Sequence, residues 1–395
     1  MPMQQHCPGS HWPDYHGHSL LNLTATLAEA LGAPTGHAPL AHPALAGLAA
    51  RRHVVLLVID GLGQQQLQAL GPESVLRRHQ RGTLTSVFPS TTAAAITTLM
   101  TGQPPALHGL TGWHVYQENT GSIVAPLPLT VRWPADDTTD AATLAETLYE
   151  TPTLFDRFDR QATALHPAYI ADSPYSRHHS GQAQRLPYHS IEDLFGQLQQ
   201  IVLADTAPGF VYGYLPQLDA AMHAHGTGAE PVRQLLAQID QAFQLFTEAL
   251  RGQDVTVLVT ADHGFIDAPL DRQLDLEDYP ELLADLRAPL SGERRVAFCH
   301  VRPGRREAFL ANARRLLGHA TWCLDSRVLL ETGAFGPGPQ HTGLAERIGE
   351  AALILKDDWT LRDLAPGEKP YYLPGVHAGV SAAEMTVPLI VFDAR

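Results

Sequence analysis

The sequence is poor in cysteine, and this limits the ways in which the fold can be held together. Its 395 residues include only three cysteines, Cys7, Cys299 and Cys323, which lie far apart in the chain. An odd number of cysteines without a Cys-x-x-Cys pair does not fit a disulfide framework. We therefore expect a reduced protein whose stability comes from a hydrophobic core, which a chain of this length can build.

Long apolar runs and an N-terminal targeting pattern are also missing. The longest apolar run, Val54 to Ile59, is far too short to span a bilayer. Residues 1–8 contain neither the basic n-region nor the apolar h-region of a secretory signal. The sequence therefore predicts a cytoplasmic protein that does not associate with a membrane.

Basic residues are scarce relative to acidic ones. The chain has 27 Lys and Arg against 41 Asp and Glu, which gives a formal net charge of -14. Nucleic acid polymers and anionic membranes favour a basic surface, so neither is expected as a partner. A small anionic substrate such as a phosphate ester is still compatible, because bound metal ions can reverse the sign of the charge locally. The oligomeric state is left open.

Four apolar runs in the chain read as buried strands. They are rich in β-branched residues and continuous rather than alternating, as in strands that are covered on both faces. Between them lie segments with helical periodicity, and strands alternating with helices predict an α/β fold whose mostly parallel central sheet is sandwiched by helices. The predicted strands are His53–Asp60, Phe210–Tyr214, Val255–Thr260 and Val387–Phe392, and the predicted helices are Leu20–Leu31, Thr92–Met100, Ile191–Leu203 and Pro231–Leu250.

Two stretches interrupt this alternation and predict insertions. Residues 113–190 are rich in Pro, Thr, Asp and His, and residues 267–372 combine charged helical segments with a Gly/Pro loop. Insertions at strand ends often form caps beside a site, so we expect cap segments here. The predicted organisation is an N-terminal arm over residues 1–18 and a single α/β domain over residues 19–395 that carries both caps.

Carboxylates and imidazoles follow the predicted strands at the points where these strands end. The carboxyl ends of parallel strands meet at one edge of a sheet, so side chains far apart in sequence are expected to converge there. Each residue alone has a simpler explanation as a cap or a turn former, and it is the combination that indicates a site. The residues are Asp60, Asp219, His223, Asp262, His263 and His377.

A hydroxyl group is expected next to this cluster. Thr92 opens an Ala-rich helix after Phe88-Pro-Ser-Thr, and a helix N-terminus carries a partial positive charge of about half a unit that suits a phosphoryl group. A threonine hydroxyl needs a metal or a base to become a nucleophile. Three aspartates and a threonine alkoxide carry four negative charges, which two Zn²⁺ ions would balance, and the mixed ligand set suits Zn²⁺ or Mn²⁺.

Taken together, these segments resemble the alkaline phosphatase superfamily, and within it the type I phosphodiesterase/nucleotide pyrophosphatase branch. The resemblance implies that Asp60, Asp262 and His263 hold one metal ion, to which Thr92 also contributes. It implies a second metal ion on three further residues, and attack by Thr92 that forms a phospho-threonine intermediate. The matching pieces are Val58-Ile-Asp-Gly-Leu62, Phe88-Pro-Ser-Thr-Thr-Ala93, His108-Gly-Leu110, Asp219 with His223, Thr260-Ala-Asp-His-Gly264 and Gly375-Val-His377, of which Asp219, His223 and His377 are the second ligand set.

One position departs from that branch. The branch places a phosphate-binding asparagine five residues after the histidine of its His-Gly motif, and counting from His108 gives Trp113 here. The resemblance therefore implies hydrolysis of phosphoric esters more firmly than a nucleotide pyrophosphatase. The alternatives are a phosphomonoesterase, a metal-dependent phosphomutase with a basic cluster such as Arg132, Arg177 and Arg185, and a metal-stabilised scaffold without activity.

Overall fold

The computed structural model describes residues 3–134, 139–204 and 207–395. Its strands are β1 (His53–Ile59), β2 (Gln80–Thr85), β3 (Val115–Gln117), β4 (Ser122–Ala125), β5 (Thr130–Trp133), β6 (Gln161–Pro167), β7 (Gln184–Tyr188), β8 (Gly209–Leu215), β9 (Val255–Thr260), β10 (Ile266–Asp267), β11 (Gln273–Asp275), β12 (Ser291–Gly292), β13 (Val296–Cys299), β14 (Thr321–Asp325), β15 (Ala351–Leu355), β16 (Thr360–Arg362), β17 (Gly375–Val376) and β18 (Thr386–Asp393).

The α-helices of the described residues lie between these strands. They are α1 (Leu20–Ala30), α2 (Gln64–Ala69), α3 (Val75–Arg78), α4 (Thr92–Thr101), α5 (Pro105–His108), α6 (Ala141–Leu148), α7 (Pro174–Ser180), α8 (Ile191–Ala204), α9 (Gln217–His225), α10 (Glu230–Ala249), α11 (Pro280–Leu283), α12 (Arg306–Leu317), α13 (Ser326–Glu331), α14 (Leu344–Arg347) and α15 (Ala382–Met385). The four predicted helices correspond to α1, α4, α8 and α10, and their predicted ends agree with the observed ones to within one residue.

Seven strands form the central sheet in the order β2-β18-β9-β1-β8-β6-β7. The pairs from β9 through β7 are parallel, whereas β18 runs antiparallel to both β2 and β9. Every residue of β1, β8 and β9 is buried, so both faces of the sheet centre are covered. The predicted α/β fold with a mostly parallel central sheet is confirmed.

The second insertion forms a small layer of its own. Its sheet has the order β12-β13-β15-β14 with antiparallel pairing throughout, and α12 packs on β14. A separate hydrophobic cluster extends from Leu274 to Leu361 and includes Phe309 of α12 and Leu353 of β15. We call this layer, from β12 to β15, the cap sheet.

The first insertion is shorter than the sequence predicts. Residues 161–167 and 184–188, which fall inside the predicted cap of 113–190, form β6 and β7 and complete the central sheet. The three-stranded antiparallel sheet β3-β4-β5 and helix α6 precede them. The Pro and His content of this stretch hid the two strands, because β6 and β7 lack the continuous β-branched run that marks β1 and β9.

The predicted N-terminal arm lies against the folded chain over its described residues, which begin at Met3. Met3, Cys7 and Trp12 are buried, and the Trp12 ring lies 4.7 Å from the ring of Phe88 between centroids. The arm therefore helps to cover the segment that leads into α4. Among the described helices, we find none that combines the length and the apolar character needed to cross a bilayer.

Candidate metal centre and active site

The topology of the sheet brings the predicted site residues to one edge. Strands β9, β1 and β8 are adjacent and parallel, so their carboxyl ends lie side by side. Asp60 directly follows β1, Asp262 follows β9 by two residues, and Asp219 lies on α9 just after β8. Three carboxylates that are up to about two hundred positions apart in sequence therefore meet where ligands bind in open α/β sheets.

The first group of side chains surrounds the imidazole of His263. Its Nε2 lies 3.4 Å from Oδ1 of Asp60, 3.3 Å from Oδ2 of Asp262 and 3.2 Å from Oγ1 of Thr92. Asp262 and His263 are fully buried and Asp60 is nearly so. These distances allow Asp60, Asp262 and His263 to share one cation, with the hydroxyl of Thr92 beside it.

The second group surrounds Oδ1 of Asp219. This oxygen lies 3.4 Å from Nε2 of His223 and 3.7 Å from Nε2 of His377. Ligand atoms of Asp219, His263 and His377 all lie within 4.8 Å of one another, and the rings of His263 and His377 stack with centroids 3.6 Å apart. The two groups are therefore contiguous, which is the arrangement that a pair of cations about 4 Å apart requires.

Each imidazole has its other nitrogen engaged by a backbone carbonyl. A carbonyl can only accept, so these contacts place the proton on Nδ1 and leave the lone pair of Nε2 directed into the cluster. Second contacts of this kind fix both the tautomer and the ring orientation of metal-ligating histidines. The Nδ1 contacts are His223 with Gly375 O at 2.9 Å, His263 with Gly264 O at 3.1 Å and His377 with Ser90 O at 3.2 Å.

The carboxylate oxygens in the cluster fit divalent cations. Oδ1 of Asp60, Oδ1 of Asp219 and Oδ2 of Asp262 are buried and have no hydrogen-bond partner among the described residues. A buried carboxylate oxygen without a partner is strongly disfavoured, so three of them in two adjoining groups are typical of a site that binds cations. The donor set of carboxylates and imidazoles is one that Zn²⁺ or Mn²⁺ accepts.

The pKa shifts follow from the same crowding. Burial, followed by the negative charges of Asp262 and Asp219, raises the pKa of Asp60 well above its ordinary value. Burial raises the pKa of Asp219 to about 7. Burial and the neighbouring His263 and His223 lower the pKa of His377. Protonated carboxylates and neutral imidazoles are what an isolated cluster favours, and bound cations would restore the carboxylate form.

Thr92 is the first residue of α4, and it stands at the end of the helix where backbone N–H groups are free. The residue before it, Thr91, is extended and buried, and its hydroxyl donates to Oε1 of Glu293 at 2.5 Å. The partial positive charge of the helix N-terminus therefore faces the same space as the hydroxyl of Thr92. This placement suits a group that becomes negatively charged as it reacts.

Two glycines allow the loops that carry these ligands to touch. A Cβ atom on Gly264 would lie 2.0 Å from the carbonyl oxygen of Ala383, and one on Gly63 would lie 2.5 Å from Cα of Gly264. Both distances are too short for any side chain. The segments that follow β1 and β9 can therefore approach each other and the turn before β18 only because both positions are glycine.

Comparison with known proteins agrees with this geometry. The model of the type I phosphodiesterase/nucleotide pyrophosphatase family matches residues 54–377, which is most of the chain. The chain belongs to this family. It is therefore a phosphoester hydrolase, and the resemblance inferred from the motifs is confirmed at the level of the family.

Solved structures support the same fold for this family member. Two structures of murine ectonucleotide pyrophosphatase/phosphodiesterase 5, one of them an inactive threonine-to-alanine variant in complex with AMP, match with 17% and 16% identity and a TM-score of 0.64. The human protein of the same name matches with 16% identity and a TM-score of 0.61. In each case the match covers 85% of this chain and 87% of the other. Among curated proteins, none matches the sequence.

Two positions of the family pattern, those of His108 and Trp113, contact the surrounding fold in this chain rather than the predicted metal ligands. His108 is buried, its Nε2 lies 3.1 Å from Oγ1 of Thr98, and its Nδ1 accepts from the N–H of Leu110. Trp113, at the position counted for an asparagine, is 43% exposed and donates its backbone N–H to Oε1 of Glu293 at 2.7 Å. A carboxylate of the cap sheet region thus contacts the backbone at this position.

Sequence reasoning missed two residues that border the metal centre. The hydroxyl of Tyr214 donates to Oδ2 of Asp60, whereas Oδ1 of the same carboxylate lies 3.4 Å from Nε2 of His263. A signal was present in the sequence, because Tyr214 lies near the carboxyl end of a buried strand and a buried tyrosine hydroxyl usually finds a hydrogen-bond partner. Glu293 carries no motif and reaches the site only through the cap sheet; burial raises its pKa to about 7.

A cavity of about 350 Å³ opens from the metal centre toward the cap sheet. Its inner wall is formed by Thr92, Asp219, His223 and His377, and its outer wall by residues of both insertions. The predicted caps therefore contribute to the space in which a substrate would lie. Their contributions are Trp113, His114 and Arg132 from the first insertion, and Leu290, Ser291, Gly292, Glu293, Arg294, Ala297, Leu361, Arg362, Asp363, Leu364, Glu368 and Tyr371 from the second.

Proposed function

We propose that this chain hydrolyses small phosphate diesters at a site with two divalent cations, through a phospho-threonine intermediate on Thr92. Zn²⁺ is the proposed metal, with Mn²⁺ as the alternative. Asp60, Asp262 and His263 would hold one ion beside Thr92, while the second ion has a separate ligand set. That second set is Asp219, His223 and His377. The observation that carries the proposal is the position of the Thr92 hydroxyl 3.2 Å from His263 Nε2, near three carboxylate oxygens for which the described residues offer no hydrogen-bond partner.

The chemistry of the step follows from these residues. Two cations at such a site lower the pKa of a hydroxyl and offset the negative charge of the phosphoryl group. The hydroxyl of Thr92 would release its proton to solvent and its oxygen would form a bond to phosphorus while the bond to the departing alcohol breaks, and the alcohol leaves with a proton from solvent. Water then cleaves the phospho-threonine, which releases the phosphate product and returns the hydroxyl.

The surroundings of Thr92 support its role as the nucleophile. The free N–H groups at the start of α4 favour negative charge on the phosphoryl oxygens. Tyr214, which donates to Asp60, holds that carboxylate in one orientation. The inactive murine relative that was captured with AMP has alanine in place of a threonine, which agrees with a threonine nucleophile in the family.

The phosphomutase alternative is disfavoured by the surroundings of the basic residues. The guanidinium of Arg132 lies 3.1 Å from Asp363 and 2.9 Å from Glu368, so its charge is already neutralised. Arg185 lies 3.9 Å from Asp172. Holding a phosphosugar for transfer needs several uncompensated cations, and these two arginines do not supply them.

A turnover assay with defined substrates tests the proposal. We expect nitrophenol release from bis(p-nitrophenyl) phosphate, loss of this activity with chelator, and recovery with Zn²⁺ or Mn²⁺ as measured by absorbance. Faster release from p-nitrophenyl phosphate would establish the phosphomonoesterase alternative instead. Conversion of a phosphosugar without release of phosphate would establish a mutase, and metal binding without any turnover would leave only a scaffold.

A further inference from the structure

Three arginines line the cavity beside the metal centre, and their charges are compensated differently. Arg132 is paired with Asp363 and Glu368, as described above, and Arg362 lies 2.7 Å from Asp275. The hydrogen bonds of the Arg294 guanidinium within the described part of the chain go to neutral oxygens alone. Arg132 and Arg362 are therefore each paired with a carboxylate, whereas the positive charge of Arg294 has no carboxylate partner in the described part of the chain.

Neutral contacts nevertheless hold Arg294 in place. Its guanidinium carbon lies 4.3 Å from the centroid of the Tyr371 ring. Nη2 donates to the carbonyl oxygen of Tyr371 at 3.1 Å, and Nη1 lies 3.5 Å from Oε1 of Gln273. An arginine fixed by stacking and by neutral acceptors keeps its full charge and still has unused N–H donors. This is the state of a residue that is prepared to bind an anion.

Arg294 shares its cavity with residues of the metal centre. His223 and His377 line the inner wall of the cavity that Arg294 also lines. Thr92 and Asp219 line the same cavity of about 350 Å³. A substrate whose phosphoryl group sits at Thr92 would therefore place one of its ester arms near this guanidinium.

We propose that Arg294 binds a second anionic group of the substrate, so that this chain prefers phosphate diesters in which one arm carries a carboxylate or another oxyanion. The inference rests on the proposed function and specifies its substrate class. The planar guanidinium matches an oxyanion with two parallel N–H···O bonds, which a neutral arm cannot use. The chain would thereby select substrates of higher negative charge despite its own net charge of -14.

A pair of symmetric diesters tests this selectivity, because either arm can then occupy the Arg294 side. The substrates are bis(4-carboxyphenyl) phosphate and its neutral counterpart bis(4-carbamoylphenyl) phosphate, with the released phenols quantified by chromatography. The measured quantity is the ratio of kcat/KM for the charged diester to that for the neutral one. In R294Q we expect this ratio to fall by about tenfold to about 100-fold. In R294K we expect a smaller fall, because lysine keeps the positive charge but lacks the two parallel N–H donors of the guanidinium.

The matched control is R362Q, which changes another cavity arginine whose charge is already paired with Asp275. We expect R362Q to affect both diesters alike and leave the ratio within about threefold of the wild type. A ratio that is equally unchanged in R294Q would overturn the inference. So would wild-type protein that cleaves bis(p-nitrophenyl) phosphate but not the carboxylated diester. If the protein cleaves none of the three diesters, the proposed function is refuted instead.

Discussion

Carboxylates are buried in two regions of this molecule, and the two regions compensate them in opposite ways. Glu384, before β18, is fully buried and pairs with Arg295 of the cap sheet region, with Nε and Nη2 each 2.9 Å from a carboxylate oxygen. Burial alone would raise the pKa of Glu384, but the charge of Arg295 and the hydrogen bonds lower it. At the metal centre the pKa of Asp60 shifts the other way.

The difference teaches how to distinguish a structural buried charge from a functional one. Glu384 also accepts from the N–H of Gly379 at 2.8 Å and the hydroxyl of Ser381 at 2.7 Å, so its oxygens are satisfied by the chain itself. The aspartates of the metal centre face one another with oxygens that the described residues leave without partners. Where the protein provides no countercharge, the countercharge has to come from outside.

The largest expected effect is a loss of turnover at the metal centre without a loss of bound metal. We expect T92A to lower kcat for bis(p-nitrophenyl) phosphate by about 10³-fold to about 10⁶-fold, because the nucleophile is lost. Metal content should stay near two ions per chain by elemental analysis, since carboxylates and imidazoles supply most of the ligands. The matched control is T91V, which removes the neighbouring hydroxyl. Unchanged turnover in T92A would remove Thr92 from the mechanism.

The next effect concerns the charge that the protein neutralises itself. R295M leaves Glu384 buried without its partner, and we expect the free energy of unfolding to fall by about 3–5 kcal/mol. Denaturant titration measures this loss. The double variant R295M/E384M should recover much of it, because a buried pair replaced by apolar side chains is often close to neutral. A loss below about 1 kcal/mol in R295M would mean that the two regions do not differ as argued.

Removing one carboxylate from the metal centre should change metal content instead. Oδ1 of Asp219 lies near both His223 and His377, so we expect D219A to bind one ion per chain and the wild type to bind two. Elemental analysis after dialysis gives the ratio. D240A, which removes an aspartate that caps α3, serves as the control and should keep both ions. Two ions in D219A would contradict the ligand assignment.

The smallest effect is a pH dependence that appears only without metal. The pKa of Asp219 is raised by burial from an ordinary value near 3.8 to about 7, so the folded state holds a proton that the unfolded state releases. The wild type should therefore lose stability as pH rises from about 4 to about 7, and D219N should lose less, because only the raised pKa values of Asp60 and Glu293 then contribute. In chelator at pH 8 we expect D219N to be more stable than the wild type, as judged by denaturant titration. Lower stability of D219N there would reverse the argument.

Much of the fold was predictable because its elements are strongly patterned. The runs that became β1 and β9 are continuous and β-branched, and α10 has a regular apolar stripe. Strands β6 and β7 escaped detection because their alternation is broken by polar residues and prolines, as in Gln184–Tyr188. Strands of this kind are specified by their neighbours in the sheet more than by their own composition.

The metal centre was more predictable than the cavity around it. Asp60, Asp262 and His263 sit in fixed positions relative to strand ends, so topology alone brings them together. Glu293 and Arg294 reach the site from the turn between β12 and β13, and their position depends on how the cap sheet packs. Nothing in local sequence encodes that packing, which is why the residues proposed to choose the substrate could be identified only in three dimensions.

The close approach at Gly264 has a consequence for comparing distant sequences. Aspartate and histidine next to each other are common, and their letters alone say little about a shared ancestor. A Cβ at the following position would collide with the carbonyl of Ala383, so the glycine is required by shape where the two residues before it are required by chemistry. Distant sequences that keep the glycine as well as the aspartate and histidine before it are better candidates for common descent than sequences that keep only those two ligands.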